Sequence, residues 1–212
     1  MKFLLTFDLE GPTNINNSVL SLLEKEEFDC IFFVEGKWAE KFKRQVSYVS
    51  DNFILGNHSY SHPDFRKLDL NQQVLEIKKC DIVLSKIKKQ KVRVFRAPFC
   101  KSNKKTFFAL KQMNYDFDSS IQNFLAKKPT KVDGIRELYV NTPSDFFLFK
   151  IMRFSDKVAL SFMKKILLYH QLLDSVVVFD FHPTQRWGIY SHIKFFEKFS
   201  SYLKESFIAY NL

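Results

Sequence analysis

The chain has 212 residues, of which 46% are hydrophobic and only five are glycine and six proline. These numbers fit one domain over residues 1–212 with a full apolar core, and they exclude long flexible linkers. The formal charge of +10 would suit an anionic partner, but the lysines of segment 76–91 fall on the outer face of a predicted helix, so we expect no nucleic acid and leave open peripheral contact with an anionic membrane surface.

Strand and helix patterns alternate along the chain. Short apolar runs are typical of buried strands, and apolar residues repeating every three or four positions are typical of helices. Predicted strands cover 2–9, 29–36, 52–59, 92–98, a short run before Asp118, and 175–183. Predicted helices cover 18–26, 37–49, 70–90, 104–113, 157–173 and 191–204, and a short apolar segment, 207–212, closes the chain. Segment 121–150 shows no clear pattern.

This alternation predicts a parallel α/β sheet in a single domain. Periodicity does not decide between a doubly wound sheet and a small barrel. In both architectures, functional side chains gather at the carboxyl ends of the strands.

Chemically capable side chains follow several predicted strands. Asp8 and Glu10 end the first, and His58 and His62, four residues apart, follow the third. Two imidazoles and a carboxylate at one mouth would form a mixed nitrogen and oxygen site suited to zinc or a similar divalent ion.

Three further groups lie at strand ends. Arg96 ends the fourth strand, Asp118 follows the fifth, and His182 ends the late apolar strand. A hydrolase that uses a metal also needs a base and an acid, and Asp8 and His182 are available for these roles. Each residue singly has a structural explanation, such as a helix cap or a surface cation, but their joint occurrence at strand ends favours a site.

Six motifs occur in the order and approximate spacing of the polysaccharide deacetylase family, carbohydrate esterase family four. The motifs are TFDLEGP, FFVEGKWAEKF, NHSYSH, FRAPF, YDFDSSI and VVFDFHPTQ. The chain most resembles the branch with a Phe-Asp-x-Glu first motif. The likeness covers about residues 1–125 and 175–185.

The resemblance implies a distorted (β/α) barrel with about seven parallel strands and metal-dependent removal of an acetyl group from an N-acetylated sugar. It assigns Asp8 as the base, Arg96 as the residue that orients it and His182 as the general acid. It assigns His58 and His62 as ligands of a divalent metal, with zinc expected and cobalt, nickel or manganese as alternatives. The backbone N–H of Phe99 falls near the position that holds the oxyanion.

The first motif departs from the common family pattern of two adjacent aspartates, because Leu9 follows Asp8. Residues 8 and 10 of a strand project to the same face. We therefore expect Glu10 to supply the third ligand, provided that the strand persists to it.

Aromatic and polar residues near these motifs are candidates for substrate binding. Tyr60 and Trp187 could stack on a sugar ring, whereas Trp38 is at least as compatible with the core. Asp118 and Ser119 could line the pocket or tune His182.

Three functions are compatible with the sequence. The first is deacetylation of an N-acetylated sugar, glycan or glycolipid precursor, the second is hydrolysis of a small amide or cyclic imide, and the third is non-catalytic binding of an anionic polymer. The odd number of cysteines without a CxxC pair indicates a reducing compartment, and the acidic residues that interrupt the first apolar run argue against a signal peptide. We therefore expect a cytoplasmic protein, with the inner membrane face as an alternative location.

Overall fold

The computed structural model describes residues 1–87, 91–126 and 128–210. Within these ranges the chain forms one sheet flanked by helices. The strands are β1 Lys2–Leu9, β2 Cys30–Val34, β3 Ile54–Asn57, β4 Val94–Phe95, β5 Phe117–Asp118, β6 Thr130–Val132, β7 Ile135–Glu137, β8 Val176–Phe181 and β9 Ile208–Ala209. The α-helices are α1 Asn17–Lys25, α2 Gly36–Lys41, α3 Lys43–Asn52, α4 Leu70–Ile87, α5 Lys104–Gln112, α6 Asp156–Leu172 and α7 Ile193–Ser206. None of these helices is both long and apolar enough to cross a membrane.

The order of strands in the sheet decides between the two predicted architectures. The order is β6-β7-β5-β4-β3-β2-β1-β8, with β9 also pairing with β1. Every pair is parallel except the β6-β7 hairpin. A doubly wound sheet reverses its strand order at a switch point, whereas here β1 to β5 and β7 follow in sequence and β8 returns beside β1. The predicted distorted barrel with about seven parallel strands is confirmed.

The amide of Asn141 links the two ends of the curled sheet. Its Nδ2 donates to the carbonyl of Val176 at 2.9 Å, and its Oδ1 accepts from the backbone N–H of Val178 at 2.9 Å. These are the bonds that a neighbouring strand would otherwise offer β8. Since buried backbone groups require partners, the side chain takes the place of a strand at the gap.

The core lies on both faces of β1, of which only Lys2 is exposed. Phe7 stacks on Phe32 at 4.8 Å and meets Phe196 of α7 edge-on at 5.9 Å. Aromatic packing of this kind contributes beyond the area it buries. It holds the carboxyl end of β1 in a fixed position.

The structure differs from the sequence-based elements in two notable places. The predicted helix 37–49 is two helices, which part at Phe42, where φ is −116° and ψ is 41°. Segment 121–150 contains the β6-β7 hairpin and the start of a π-helix, Phe146–Ile151. The predicted helical residues 88–90 and the terminal residues 211–212 lie outside the described residues.

Candidate active site

Glu10, His58 and His62 converge at the carboxyl ends of β1 and β3. Their ligand atoms all lie within 4.8 Å of one another. The Nε2 of His58 is 3.6 Å from Oε2 of Glu10, and Nε2 of His62 contacts the same oxygen. Glu10 follows the last residue of β1 and faces the site with Asp8, while Leu9 is buried in the core. The alternation expected of residues 8 to 10 is therefore present.

The histidines do not share a helical turn. Residues 58–62 form a loop in which Ser59 and His62 have positive φ, 63° and 58°. The loop nevertheless brings the two ring centroids to 5.0 Å. Residues with positive φ cost free energy unless the surroundings hold them. Here the hydroxyl of Ser59 accepts from the backbone N–H of His62 at 3.1 Å.

The three donors fit a divalent metal ion. The Nδ1 of His58 donates to the carbonyl of Arg96 at 2.9 Å, which leaves the lone pair of Nε2 for a ligand when the ring is neutral. In the part of the chain that the structure describes, Nε2 of His58 and Nε2 of His62 are buried and have no hydrogen bond of normal geometry. Buried polar atoms in this state require an explanation. Two imidazoles and a carboxylate are a donor set that zinc and related ions accept.

The local charges also favour a cation. Burial lowers the pKa of His58, but the negative charges of Asp8 and Glu10 outweigh it, so that the pKa is raised. Burial raises the pKa of Glu10, but its contacts with His58 and His62 outweigh that effect and lower the pKa. The carboxylates of Asp8 and Glu10 therefore favour positive charge at this position, as they would favour a bound cation.

Arg96 fixes Asp8 beside this cluster. Its Nη1 donates to Oδ1 of Asp8 at 2.9 Å, and Asp8 Oδ2 is 3.5 Å from Nε2 of His58. Burial raises the pKa of Asp8, but the charges of Arg96 and His58 overcome burial and lower it. The guanidinium of Arg96 also donates to Ser119, from Nε to its carbonyl at 3.0 Å and from Nη2 to its hydroxyl at 2.8 Å. Asp8 is therefore an ionised acceptor in a fixed orientation.

His182 lies on the other side of the site and is held by Asp145. The Nδ1 of His182 donates to Oδ1 of Asp145 at 2.7 Å, and its backbone N–H donates to Oδ2 at 2.9 Å. Burial lowers the pKa of His182, but the charges of Asp145 and Asp180 outweigh burial and raise it to about 10. The ring therefore carries a proton on Nε2 at neutral pH.

Asp180 connects the two sides. Its Oδ1 accepts from Nη1 of Arg96 at 3.0 Å, the same nitrogen that holds Asp8. Burial and the neighbouring Asp8 raise the pKa of Asp180 to about 6. Asp180 and Asp145 were not among the residues predicted from the sequence. Asp180 stands two residues before His182 on β8, so the alternation that linked Asp8 with Glu10 could have identified it.

A cavity of about 620 Å³ joins these groups. One end holds Asp8, Glu10, His62, Asp180 and His182. The walls are largely apolar and come from Phe99, Phe124, Phe146, Phe147, Ile151 and Trp187. Three of these residues, Phe124, Phe146 and Phe147, belong to segment 121–150, in which the sequence showed no pattern, and Ile151 directly follows it. The cavity therefore combines a polar floor with an apolar entrance.

The substrate-binding predictions have mixed outcomes. Phe99 lines the cavity with its ring 4.5 Å from that of His62, and Trp187 lies 4.9 Å from the ring of His182. Tyr60 does not line the cavity. Its hydroxyl instead donates to Glu40 at 3.2 Å near the surface. Trp38 is buried in the core.

Asp118 is also outside the cavity wall. Its Oδ1 accepts from the hydroxyl of Ser120 at 2.6 Å, and it is buried beside Glu137 rather than beside His182. Ser119 acts on Arg96 instead of on His182. The predicted role of these two residues in tuning His182 is therefore not supported by their contacts.

Known proteins resemble this chain in sequence and in fold. Residues 2–117 match the family model described as polysaccharide deacetylase. A peptidoglycan-N-acetylglucosamine deacetylase of Bacillus cereus is 30% identical over 97 residues, which are 45% of this chain and 35% of that protein. The chain therefore matches about a third of the length of this relative.

Two solved structures share the fold. The family 4 carbohydrate esterase of Streptomyces lividans, in complex with acetate, has a TM-score of 0.71 at 16% identity and covers 100% of this chain and 92% of its own. A pseudoenzyme of the same family from Bacillus anthracis has a TM-score of 0.70 at 19% identity, covering 98% of this chain and 62% of its own. The fold is thus shared by an esterase and a pseudoenzyme, so the activity must be argued from the site. The sequence match over more than half of the chain shows that the protein belongs to the polysaccharide deacetylase family.

Proposed function

We propose that the protein is a divalent-metal-dependent hydrolase that removes the N-acetyl group from an amino sugar. The observation that carries this proposal is the arrangement of Glu10, His58 and His62 between an ionised Asp8 and a protonated His182. A general base and a general acid on opposite sides of one reacting centre are what amide hydrolysis requires.

The residues have distinct parts in the reaction. Glu10, His58 and His62 would hold the metal, which when bound polarises a carbonyl and lowers the pKa of water. Asp8 takes a proton from the attacking water, whose oxygen bonds to the carbonyl carbon of the acetamide. His182 donates its Nε2 proton to the nitrogen as the carbon–nitrogen bond breaks. The products are acetate and a free amine.

Positioning groups set the protonation states on which this mechanism depends. Arg96 keeps Asp8 ionised, and Asp145 keeps His182 protonated. The backbone N–H of Phe99 is the proposed donor to the developing oxyanion, in a role that depends on the position of the main chain and not on the side chain. Trp187 and Phe146, whose rings meet edge-on at 5.0 Å, provide an apolar surface on which a sugar face can stack.

Intact acid and base groups distinguish this proposal from a non-catalytic binding module. The apolar entrance would also admit a small amide or cyclic imide, which is the second candidate. The cytoplasmic location stays a prediction from the sequence.

Acetate release from a panel of substrates tests the proposal. The panel contains N-acetylated monosaccharides, N-acetylated oligosaccharides, lipid-linked N-acetyl amino sugars and cyclic imides, each with protein loaded with zinc or cobalt. Ring opening of an imide is followed by absorbance. We expect acetate from at least one N-acetylated sugar. The matched control is Asp8→Asn, which preserves the shape of the side chain and removes the base. Turnover of imides with no acetate from any sugar would select the second candidate.

A further inference from the structure

The entrance of the cavity is an exposed apolar surface, here called the apolar rim. It consists of the exposed lining residues Phe99, Phe124, Phe146, Phe147 and Ile151, together with the exposed Met152 that follows them in the chain. Phe99, Ile151 and Met152 expose 56%, 55% and 45% of their surface. Single exposed apolar residues are ordinary, but contiguous groups of them mark interaction sites.

The rim is unlike a surface built for a soluble glycan. Aromatic rings can stack on sugars, but the aliphatic side chains of Ile151 and Met152 offer neither a stacking plane nor a hydrogen bond. Ile151 is the last residue of the π-helix Phe146–Ile151, and Met152 directly follows it. Transfer of such side chains from water to an apolar phase lowers the free energy.

The charges around the rim are positive. Segment 146–153 contains Lys150 and Arg153 and no carboxylate, and Arg186 stands next to Trp187. All three cations are exposed, and none of them forms an ion pair within the described residues. Of the carboxylates near this segment, Asp145 and Asp180 are buried against His182 and Arg96, and Asp156 is paired with Nδ1 of His192 at 2.6 Å. Apolar side chains interleaved with cations are characteristic of segments that lie in the interface of anionic membranes.

We propose that the apolar rim docks on an anionic lipid bilayer and that the substrate is an amino sugar carried on a lipid anchor. Docking in this orientation places the cavity entrance at the level of the headgroups. The acetamide of a lipid-linked sugar can then reach the floor between Asp8 and His182 while the anchor stays among the rim side chains. The assignment of a lipid-anchored amino sugar as substrate rests on the proposed deacetylase function, whereas docking on the bilayer does not.

Vesicle co-sedimentation tests docking without requiring catalysis. The full chain is mixed with vesicles of phosphatidylcholine only, or of phosphatidylcholine with about one-third phosphatidylglycerol. We expect binding to the anionic vesicles that weakens as salt is added, since each cation near an anionic leaflet strengthens partitioning by about fivefold.

Matched variants locate the contact. Ile151→Ser/Met152→Ser should weaken binding by about tenfold or more, and Lys150→Gln/Arg153→Gln should remove most of its salt dependence. The control for the first is Leu75→Ser/Ile82→Ser on α4, whose side chains are 51% and 46% exposed. The control for the second is Lys78→Gln/Lys86→Gln on the same helix. Both control variants should bind vesicles as the unmodified protein does.

Three results would overturn docking. They are binding that does not depend on anionic lipid, equal losses in the rim and α4 variants, and a dimer in solution that dissociates on Ile151→Ser/Met152→Ser. The last would assign the rim to a second copy of the chain.

Comparison of two substrates tests the lipid anchor. Lys150→Gln/Arg153→Gln should lower kcat/KM for a vesicle-borne N-acetyl amino sugar and leave that for its water-soluble analogue unchanged. Equal kcat/KM values for the two substrates in the unmodified protein would overturn the anchor. Vesicle binding without acetate release from any sugar would instead contradict the proposed function and leave docking in place.

Discussion

Both carboxylate oxygens of Asp145 hold His182, one through the imidazole Nδ1 at 2.7 Å and the other through the backbone N–H at 2.9 Å. The second oxygen also accepts from the backbone N–H of Ile189 at 2.9 Å. A methyl group at Gly188 would lie 2.4 Å from the same oxygen. The histidine, its carboxylate and the glycine turn therefore form one rigid unit.

The first prediction concerns the alkaline limb of the pH profile. Asp145 raises the pKa of His182 to about 10, so Asp145→Asn should lower that pKa and move the alkaline fall of kcat/KM toward neutral pH. At pH about 9, the loss in kcat/KM should be about tenfold or more, and it should be smaller near pH 6. The measurement is kcat/KM for acetate release as a function of pH. A uniform loss at every pH would indicate that Asp145 has only a structural role.

The second prediction separates Asp180 from Asp145. Asp180 raises the pKa of His182 less than Asp145 does, and it lacks a hydrogen bond to the ring. Asp180→Asn can still accept from Nη1 of Arg96, so the fold should be retained. We expect the alkaline limb to move in the same direction as in Asp145→Asn but by less. A larger shift than that of Asp145→Asn would contradict the assigned order of the two carboxylates.

The third prediction concerns the ligands. His58→Ala and His62→Ala should each lose bound metal and activity together, while circular dichroism and the melting temperature change little in the metal-free state. Glu10→Gln removes the charge of a proposed ligand and should lower metal affinity by at least the roughly 10- to 100-fold that loss of an outer-shell partner costs. Elemental analysis after dialysis measures the occupancy. Full occupancy in either histidine variant would remove that histidine from the site.

The fourth prediction concerns stability. Burial and the adjacent Asp118 raise the pKa of Glu137 from 4.5 to about 10. The folded state therefore binds the proton more tightly than the unfolded state, and the stability that this supplies is complete below about pH 4.5 and lost as the pH rises toward 10. In the unmodified protein, Oε1 of Glu137 accepts from the backbone N–H of Ile121 at 2.9 Å. Glu137→Gln keeps an acceptor for this N–H and removes the group that titrates.

Urea unfolding at about pH 5 and pH 9 measures this effect. The free energy of unfolding of Glu137→Gln minus that of the unmodified protein should be larger at about pH 9 than at about pH 5, by about 1–3 kcal/mol. A difference that is the same at both pH values would show that Glu137 does not hold a proton. Asp81→Asn, at a partly buried carboxyl on α4 that accepts from Tyr115 at 2.6 Å and whose pKa burial also raises, serves as the comparison.

Local patterns predicted the parallel α/β sheet because its strands are short buried apolar runs, of which β1 is the most continuous. They did not distinguish a barrel from a doubly wound sheet, and the barrel with about seven strands was predicted from the family resemblance. The same reasoning placed Asp8, Glu10, His58, His62, Arg96 and His182 at one mouth, since parallel strands all end at one edge. The conformation of the loop of residues 58–62 could not be predicted, because a spacing of four residues does not distinguish a helical turn from a turn with positive φ.

The missing parts of the site depend on contacts that are distant in the sequence. Asp145 meets His182 across 37 residues, and nothing in segment 121–150 signals that contact. The apolar rim comes from three separate segments of the chain, at residues 99, 124 and 146–152, so no local pattern identifies it. Asp118, in contrast, occurs in a recognisable motif but points to Ser120 and away from the cavity.

Metal dependence is the central claim, and one titration tests it most directly. Protein stripped with a chelator is titrated with zinc while bound metal and acetate release are measured in the same samples, with Asp8→Asn in parallel. We predict that acetate release rises in proportion to occupancy and saturates at about one equivalent per chain, and that Asp8→Asn binds the metal equally but is slower by about 100- to 10,000-fold. Acetate release that persists undiminished in the stripped protein, or an Asp8→Asn variant as active as the unmodified protein at equal occupancy, would contradict the account.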